Sequence, residues 1–236
     1  MTKRDLGAEV AEFQAPPHPA GLVLQGQWAR LEPLDAAAHA ADLYRAVAVD
    51  DAIWDYLPYG PFGGAAAYHR WVKDRENSFD PVFLAVRDLE TGHWAGVASF
   101  LRIDPANGVI EVGHICLSPE LQRTRAATEA MYLMMGWAFA SGYRRYEWKC
   151  NALNLPSRRA AQRLGFSFEG VFRQHMITKG RNRDTAWFSV IDSEWPGLSE
   201  AFRAWLSPAN FDAAGKQRER LADLTGLVRA ASDPAL

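Results

Sequence analysis

Residues 109–130 hold the side chains best suited to chemistry. A strand carrying Glu111, His114 and Cys116 runs into a tight turn at Ser118-Pro119, and a loop through Gln122, Arg123, Thr124 and Arg125 then enters a helix. The start of a helix presents backbone N–H groups that lack intrahelical partners and the positive end of the helix dipole. Such a start suits a phosphate group. Arg123 and Arg125 add charge there, and the small residues Ala126 and Ala127 allow a ligand to approach the backbone. The competing reading is a plain strand-to-helix connection with solvated arginines. Glu111 and His114 are three positions apart, so strand alternation sets them on opposite faces unless a bulge intervenes. Cys116 would be a nucleophile only beside a base or a cation. None is visible next to it, so it reads as a small buried apolar residue.

The elements that position these groups follow from periodicity. Leu22 to Leu34 reads as a first strand with a bend or bulge at Gly26, Asp35 as the N-cap of a helix, and residues 65–77 as a second helix with Tyr68, Trp71 and Val72 on one side. Between the helices, residues 53–64 are aromatic and rich in Pro and Gly. Trp54, Tyr56 and Tyr59 in this loop either wall a binding pocket or plug into the core. Residues 81–117 read as a meander of three antiparallel strands, followed by a helix at 124–141 closed by Gly142, a strand at 145–149, and a short helix at 154–164 closed by Gly165. Strands at about 166–178 and 184–191 flank the turn at Lys179 to Asn182. Helices fill the remainder from Pro196, with Leu221, Leu224 and Leu227 at helical spacing. Trp148 and Trp187 are expected in the core. The basic run Lys179 to Asp184 reads as a solvated turn, with contact to an acidic substrate, RNA or a phosphate as the alternative.

Gln122 to Ala127 resembles the acetyl-CoA pyrophosphate loop of the GNAT acetyltransferases, whose pattern is Q/R-x-x-G-x-G/A. Arg125 stands where that family usually has Gly; at a helix N-terminus φ is negative, so the side chain is accommodated if it points outward. The order of elements matches the family fold. Asn154 to Ser157 resembles the N-x-x-S of the RimJ/RimL-type branch, and Arg163 to Phe166 and Glu169 to Arg173 resemble its next signatures. The resemblance covers roughly residues 21–196. It implies an α/β domain of α+β type: a mixed, mostly antiparallel sheet of about seven strands with helices on both faces. A loose arm at 1–20 and a helical extension at 197–236 flank it.

The resemblance also assigns roles. Two central strands splay apart and the pantetheine arm lies in the gap, so Ile115 and Leu117, flanking Cys116, offer backbone partners to its amides. The pyrophosphate sits on the amides of Arg123, Thr124, Arg125, Ala126, Ala127 and Thr128, beside Gln122, and Asn154 contacts the cofactor. The amine attacks the thioester directly and must be neutral to do so, although a lysine side chain has a pKa of about 10.4. Glu111 is the first choice of base, acting through water; its other reading is a solvated strand residue. Ser157 supplies a proton or hydrogen bond to the departing thiolate. Asn154 and Ser157 also suit helix capping, and the roles are compatible. Trp54, Tyr56, Tyr59 and Glu111 then form the acceptor side. The expected function is acetyl transfer from acetyl-CoA to a primary amine, either a protein N-terminus or a small molecule. A non-catalytic acyl-CoA-binding or regulatory module is the alternative.

Composition bounds these readings. The 236 residues are 48% hydrophobic and 23% charged with a net charge of -2, which excludes a miniprotein and lacks the basic excess of a DNA-backbone binder. Two cysteines without metal-ligand spacing indicate neither a disulfide framework nor a zinc site. With no signal-peptide pattern and no apolar run of membrane length, a cytoplasmic enzyme without a membrane partner is expected. The C-terminal leucines are a candidate homodimer surface.

Overall fold

In the computed structural model, which describes residues 6–236, the chain forms eight strands and six α-helices. The first five residues of the expected N-terminal arm lie outside the described residues. Two strands replace the single bent strand expected at the start: β1 (Leu24–Gln25) and β2 (Ala29–Pro33) pair antiparallel. The chain reverses there because one carboxylate, Glu129, accepts hydrogen bonds from the backbone N–H groups of Gln27, Trp28 and Ala29 at 3.0, 2.6 and 2.7 Å. Gly26 is required beside it, since a Cβ at this position would lie 2.3 Å from a Glu129 carboxylate oxygen.

Asp35 caps α1 (Ala36–Val47) by accepting from Ala38 N at 2.7 Å. A 3-10 turn (Asp51–Trp54) and the aromatic loop lead to α2 (Ala65–Lys73). The meander follows as β3 (Val82–Asp88), β4 (Trp94–Asp104) and β5 (Val109–Leu117). Then come α3 (Arg125–Ala140), β6 (Arg145–Asn151), α4 (Leu155–Arg163), and the hairpin β7 (Ser167–Thr178) and β8 (Arg181–Ile191). Helices α5 (Trp195–Leu206) and α6 (Leu221–Gly226) complete the chain. All eight strands form one sheet in the order β1-β2-β3-β4-β5-β6-β8-β7. Only β5 and β6 run parallel, because α3 carries the chain from one to the other.

Alternation along the strands divides two cores. One face sends Phe100, Ile110, Val112, Tyr146, Trp148 and Phe188 against Met131, Met134 and Met135 of α3. The other sends Phe83, Ala85, Val97 and Cys116 against Leu43, Tyr68 and Trp71 of α1 and α2. Truncating a residue such as Phe188, which is fully buried, to Ala costs about 3–5 kcal/mol.

The terminal segments join this frame. Tyr143 Oη donates to Pro17 O at 3.1 Å, and the His18 and Phe79 rings stack 3.8 Å apart. Helix α5 lies on α3 through Phe202 and Trp195, whose rings contact Tyr132. Of the three C-terminal leucines, Leu221 and Leu224 pack into the first core and Leu227 is 86% exposed. Among the described residues no helix is long and apolar enough to cross a membrane.

Candidate active site

β5 and β6 pair only over Val109–Val112 against Arg145–Trp148. Beyond Val112 and Trp148 the ladder stops although both strands continue, β5 to Leu117 and β6 to Asn151. The facing edges of residues 113–117 and 149–151 therefore enclose a gap, with Ile115, Cys116 and Leu117 on one rim. An extended arm with amide groups fits such an opening, because unpaired strand edges offer backbone donors and acceptors. The Leu117 carbonyl accepts from Gln122 Nε2 at 3.0 Å, which ties the loop back to the strand end.

At one end of the gap lies the α3 N-terminus. Thr124 caps it, its Oγ1 accepting from Ala127 N at 3.0 Å, and Thr128 N reaches Thr124 O. The N–H groups of Arg123, Arg125 and Ala126 make no hydrogen bond among the described residues. Three donors at the positive end of a 16-residue helix suit a pyrophosphate. The left-handed residue of the loop is Arg123, with φ 65°, rather than Arg125. Arg125 lies within the helix, its guanidinium 3.9 Å over the Trp28 ring and 5.0 Å from that of Phe211, with Glu90 at 3.2 Å. Its side chain is thus held by packing where a Gly would leave space.

The N-terminus of α4 borders the gap from the β6 side. Asn154 Oδ1 accepts from Ser157 N at 3.1 Å, so the capping reading describes Asn154. Ser157 Oγ accepts from Trp148 Nε1 at 3.0 Å, and its hydroxyl also bonds to the buried Cys150 thiol. The next residue anchors the helix: Arg158 makes a buried bidentate pair with Asp233 at 2.6 and 2.5 Å. Nothing local marks Asp233 as a partner, since the two are 75 positions apart.

Glu111 sits where β5 and β6 part, 3% exposed. Its carboxylate contacts Arg102 at 2.6 Å and Lys149 at 3.0 Å, and Lys149 also reaches Glu147 at 2.6 Å. Burial holds the Glu111 carboxyl above the usual carboxylate range although both cations oppose the shift. The solvated-residue reading does not describe it. Simple alternation would place His114 on the opposite face, but a bulge intervenes: Gly113 faces Ser99 and Cys116 faces Val97, so His114 and Ile115 together oppose one residue. With φ 49°, His114 turns its ring onto Tyr59 and Phe83, its Nδ1 3.2 Å from Tyr59 Oη. Burial, with Arg102, Arg75 and Arg183 adding to it, lowers its pKa to about 4. Cys116 is buried, and burial pushes its thiol up to about 12; it is no nucleophile at neutral pH.

Within the aromatic loop the core reading describes Trp54. Trp54 is buried against Phe62 and Tyr68, whereas Tyr59 lies against His114 and Tyr56 is 37% exposed. Tyr56 Oη donates to Leu153 O at 3.3 Å, and Lys179 Nζ donates to Trp54 O at 2.8 Å. The Lys179 turn is therefore tied to the loop instead of being solvated throughout. Trp187 also departs from expectation. Its half-buried ring lies 3.8 Å under Lys149 Nζ and 4.5 Å from Phe172, on the face that α1 and α2 leave uncovered. Lys149 and Arg102 escaped sequence reasoning because strand register between distant segments places them.

A family model described as an acetyltransferase (GNAT) domain matches residues 29–167. The uncharacterized N-acetyltransferase p20 of Bacillus licheniformis is 32% identical over 113 residues, which cover 46% of this chain and 61% of that protein. The match thus spans about three-fifths of that curated relative. A solved GCN5-related N-acetyltransferase from Brucella melitensis superposes with a TM-score of 0.89 at 48% identity, covering 91% of this chain and 99% of that one. The microcin C7 self-immunity acetyltransferase MccE, solved with acetyl-CoA and AMP, shares the fold at TM-score 0.62 and 22% identity, covering 70% and 93%.

Proposed function

The chain belongs to the GNAT acetyltransferase family, a family of acyltransferase enzymes that use acetyl-CoA, and on that premise we propose that it moves an acetyl group from acetyl-CoA to a primary amine by direct attack. The observation that carries this reading is the parting of β5 from β6 past Val112 and Trp148, with Glu111 at its vertex. The unpartnered amides of Arg123, Arg125 and Ala126 stand at the α3 end of the gap and Ser157 at the α4 end. These residues fit acetyl-CoA. When bound, it supplies the acetyl group as an activated thioester.

The chain's own groups account for the proton traffic. Glu111, with its carboxyl raised by burial, takes the amine proton through water, a task favoured when the base titrates closer to the working pH. Ser157 Oγ, oriented by Trp148 Nε1, would turn its hydroxyl from the Cys150 thiol to give a hydrogen bond to the departing thiolate. His114 is neutral at pH 7 and too weak a base to compete, and its place is to position Tyr59 on the acceptor side. The RimJ/RimL-type assignment rests on Asn154 to Ser157 and Arg163 to Phe166 and belongs to this same reading, as does a cytoplasmic setting.

Thiol release from acetyl-CoA on addition of an amine panel tests the proposal. Amine-dependent release that Glu111→Gln abolishes supports it. Acetyl-CoA binding without amine-dependent release would favour the acyl-CoA-binding module instead.

A further inference from the structure

We propose that Phe172 and Trp187 form a platform for a flat aromatic ring carried by the acceptor, which is then a small arylalkylamine. The inference deepens the acetyl-transfer reading and rests on it for placing the reacting amine at Glu111.

An irregularity in the β7–β8 hairpin builds the platform. Phe172 faces Thr185 and Met176 faces Arg183, so residues 173–175 oppose Asp184 alone. Gln174 takes φ 51° there, and its N–H donates to Asp184 Oδ1 at 2.7 Å. Phe172 and His175 are three positions apart and would point to opposite faces of a regular strand. The bulge instead sets their rings edge to face, with centres 5.7 Å apart and planes at 90°. His175 Nδ1 lies 3.0 Å from Thr185 Oγ1, which holds that ring in place. The Trp187 ring lies 4.5 Å from that of Phe172 and 5.9 Å from that of His175. Rings from both strands of the hairpin therefore fix one another before any ligand arrives.

Two features leave the cluster open. Phe172 is 52% exposed although its ring packs on two neighbours. Opposite Trp187 the sheet has Gly170, where a Cβ would meet nothing within 4 Å, so no cross-strand side chain covers that flank of the indole. Ring faces and edges attract a further ring beyond the area buried, and an exposed apolar cluster with polar surroundings marks a binding surface.

The platform stands beside the reacting groups. Lys149 Nζ is 3.8 Å from the Trp187 ring centre and 3.0 Å from a Glu111 carboxylate oxygen, so one ammonium group separates the indole from the proposed base. A ring on the platform brings an amine on a short alkyl chain toward Glu111. The aromatic loop bounds the space on another side. Tyr56 ties it to Leu153 at the β6–α4 turn, and Lys179 ties it to the hairpin. This enclosure suits a compact amine better than an extended peptide.

The test uses the full chain with 2-phenylethylamine, 2-cyclohexylethylamine, ethylamine and a tetrapeptide that begins with Phe. Binding to the CoA-loaded protein is measured by calorimetry, and transfer by thiol release from acetyl-CoA. The KM for 2-phenylethylamine is expected to be about 10-fold or more below that for ethylamine, from the apolar area buried, and about 3-fold or more below that for 2-cyclohexylethylamine, from ring–ring attraction. Binding is expected in the same order. Phe172→Ala is expected to remove the preference between the two cyclic amines through KM, with its thermal midpoint and acetyl-CoA affinity retained, whereas Phe172→Tyr keeps the preference. Equal use of the two cyclic amines, binding of neither, or use of the tetrapeptide alone would overturn the proposal. So would a Phe172→Ala protein that keeps the preference or loses acetyl-CoA affinity, or a Phe172→Tyr protein that loses the preference. Ring preference in binding without any transfer would support the platform and sink the acetyl-transfer reading.

Discussion

The Lys149 ammonium lies 3.0 Å from a carboxylate oxygen of Glu111, inside the sheet face where β5 and β6 part. Glu111 is thereby a base under two opposing influences, with burial raising its pKa and Lys149 and Arg102 lowering it. A carboxylate must be ionised to accept a proton, so the rate falls as pH drops through the Glu111 pKa. Glu111→Gln is expected to lower kcat by roughly 100-fold or more and to remove this acid limb. Lys149→Met withdraws one of the opposing cations, and its acid limb is expected to move to higher pH. Initial-rate pH profiles of the three proteins check both statements; an unchanged kcat in Glu111→Gln would reassign the base.

His114 predicts a pH dependence of stability. Its pKa is 6.5 in the unfolded reference and about 4 in the folded protein, so the unfolded chain takes up a proton first as the medium is acidified. The contribution is fully present above pH 6.5 and is lost as pH falls toward 4. Thermal midpoints measured across that window are expected to fall less steeply for His114→Asn than for the parent. Parallel curves would show that other groups govern the acid limb.

Arg125 replaces the family's usual glycine and is packed between Trp28 and Phe211. Restoring glycine removes cation–π and ion-pair contacts and adds backbone freedom to the first helical turn, so Arg125→Gly is expected to lose about 1–2 kcal/mol of stability. Its affinity for acetyl-CoA is expected to stay within about 3-fold, because the three open amides are backbone groups. Chemical denaturation and calorimetry separate the two effects.

Asp233, near the C-terminus, closes a buried pair with Arg158, one residue beyond Ser157. Asp233→Ala leaves that guanidinium buried and unpaired, at an expected cost of about 3–5 kcal/mol. Ser232→Ala, which alters only an exposed contact with Arg229, is expected to change stability by less than about 0.5 kcal/mol. Equal stability of the two variants would show that the tail does not brace α4.

Much of this was legible where physics is local. Asp35 and Asn154 cap the helices their types predict, Gly142 and Gly165 follow helix ends with positive φ, and the meander from β3 to β5 falls within a residue or two of its periodicity. The loop from Gln122 to Thr128 stood out because helix N-termini leave backbone donors unpaired, and those of Arg123, Arg125 and Ala126 are open among the described residues. What escaped is non-local. The reversal at Gly26 depends on Glu129, some hundred positions away, and the bulge that brings His114 to the Glu111 face is set by pairing with β4. Lys149 meets Glu111 only through the parallel register of β5 and β6. Trp187 reads as a core residue because it lies on a strand, yet the uncovered side of the sheet is where its ring lies.

The most direct test of the central claim is calorimetric titration of the full chain with acetyl-CoA, with CoA and a nicotinamide dinucleotide for comparison. The gap between β5 and β6 and the open amides of Arg123, Arg125 and Ala126 predict micromolar binding of the two CoA ligands and none of the dinucleotide. Absence of CoA binding, or equal binding of the dinucleotide, would contradict it.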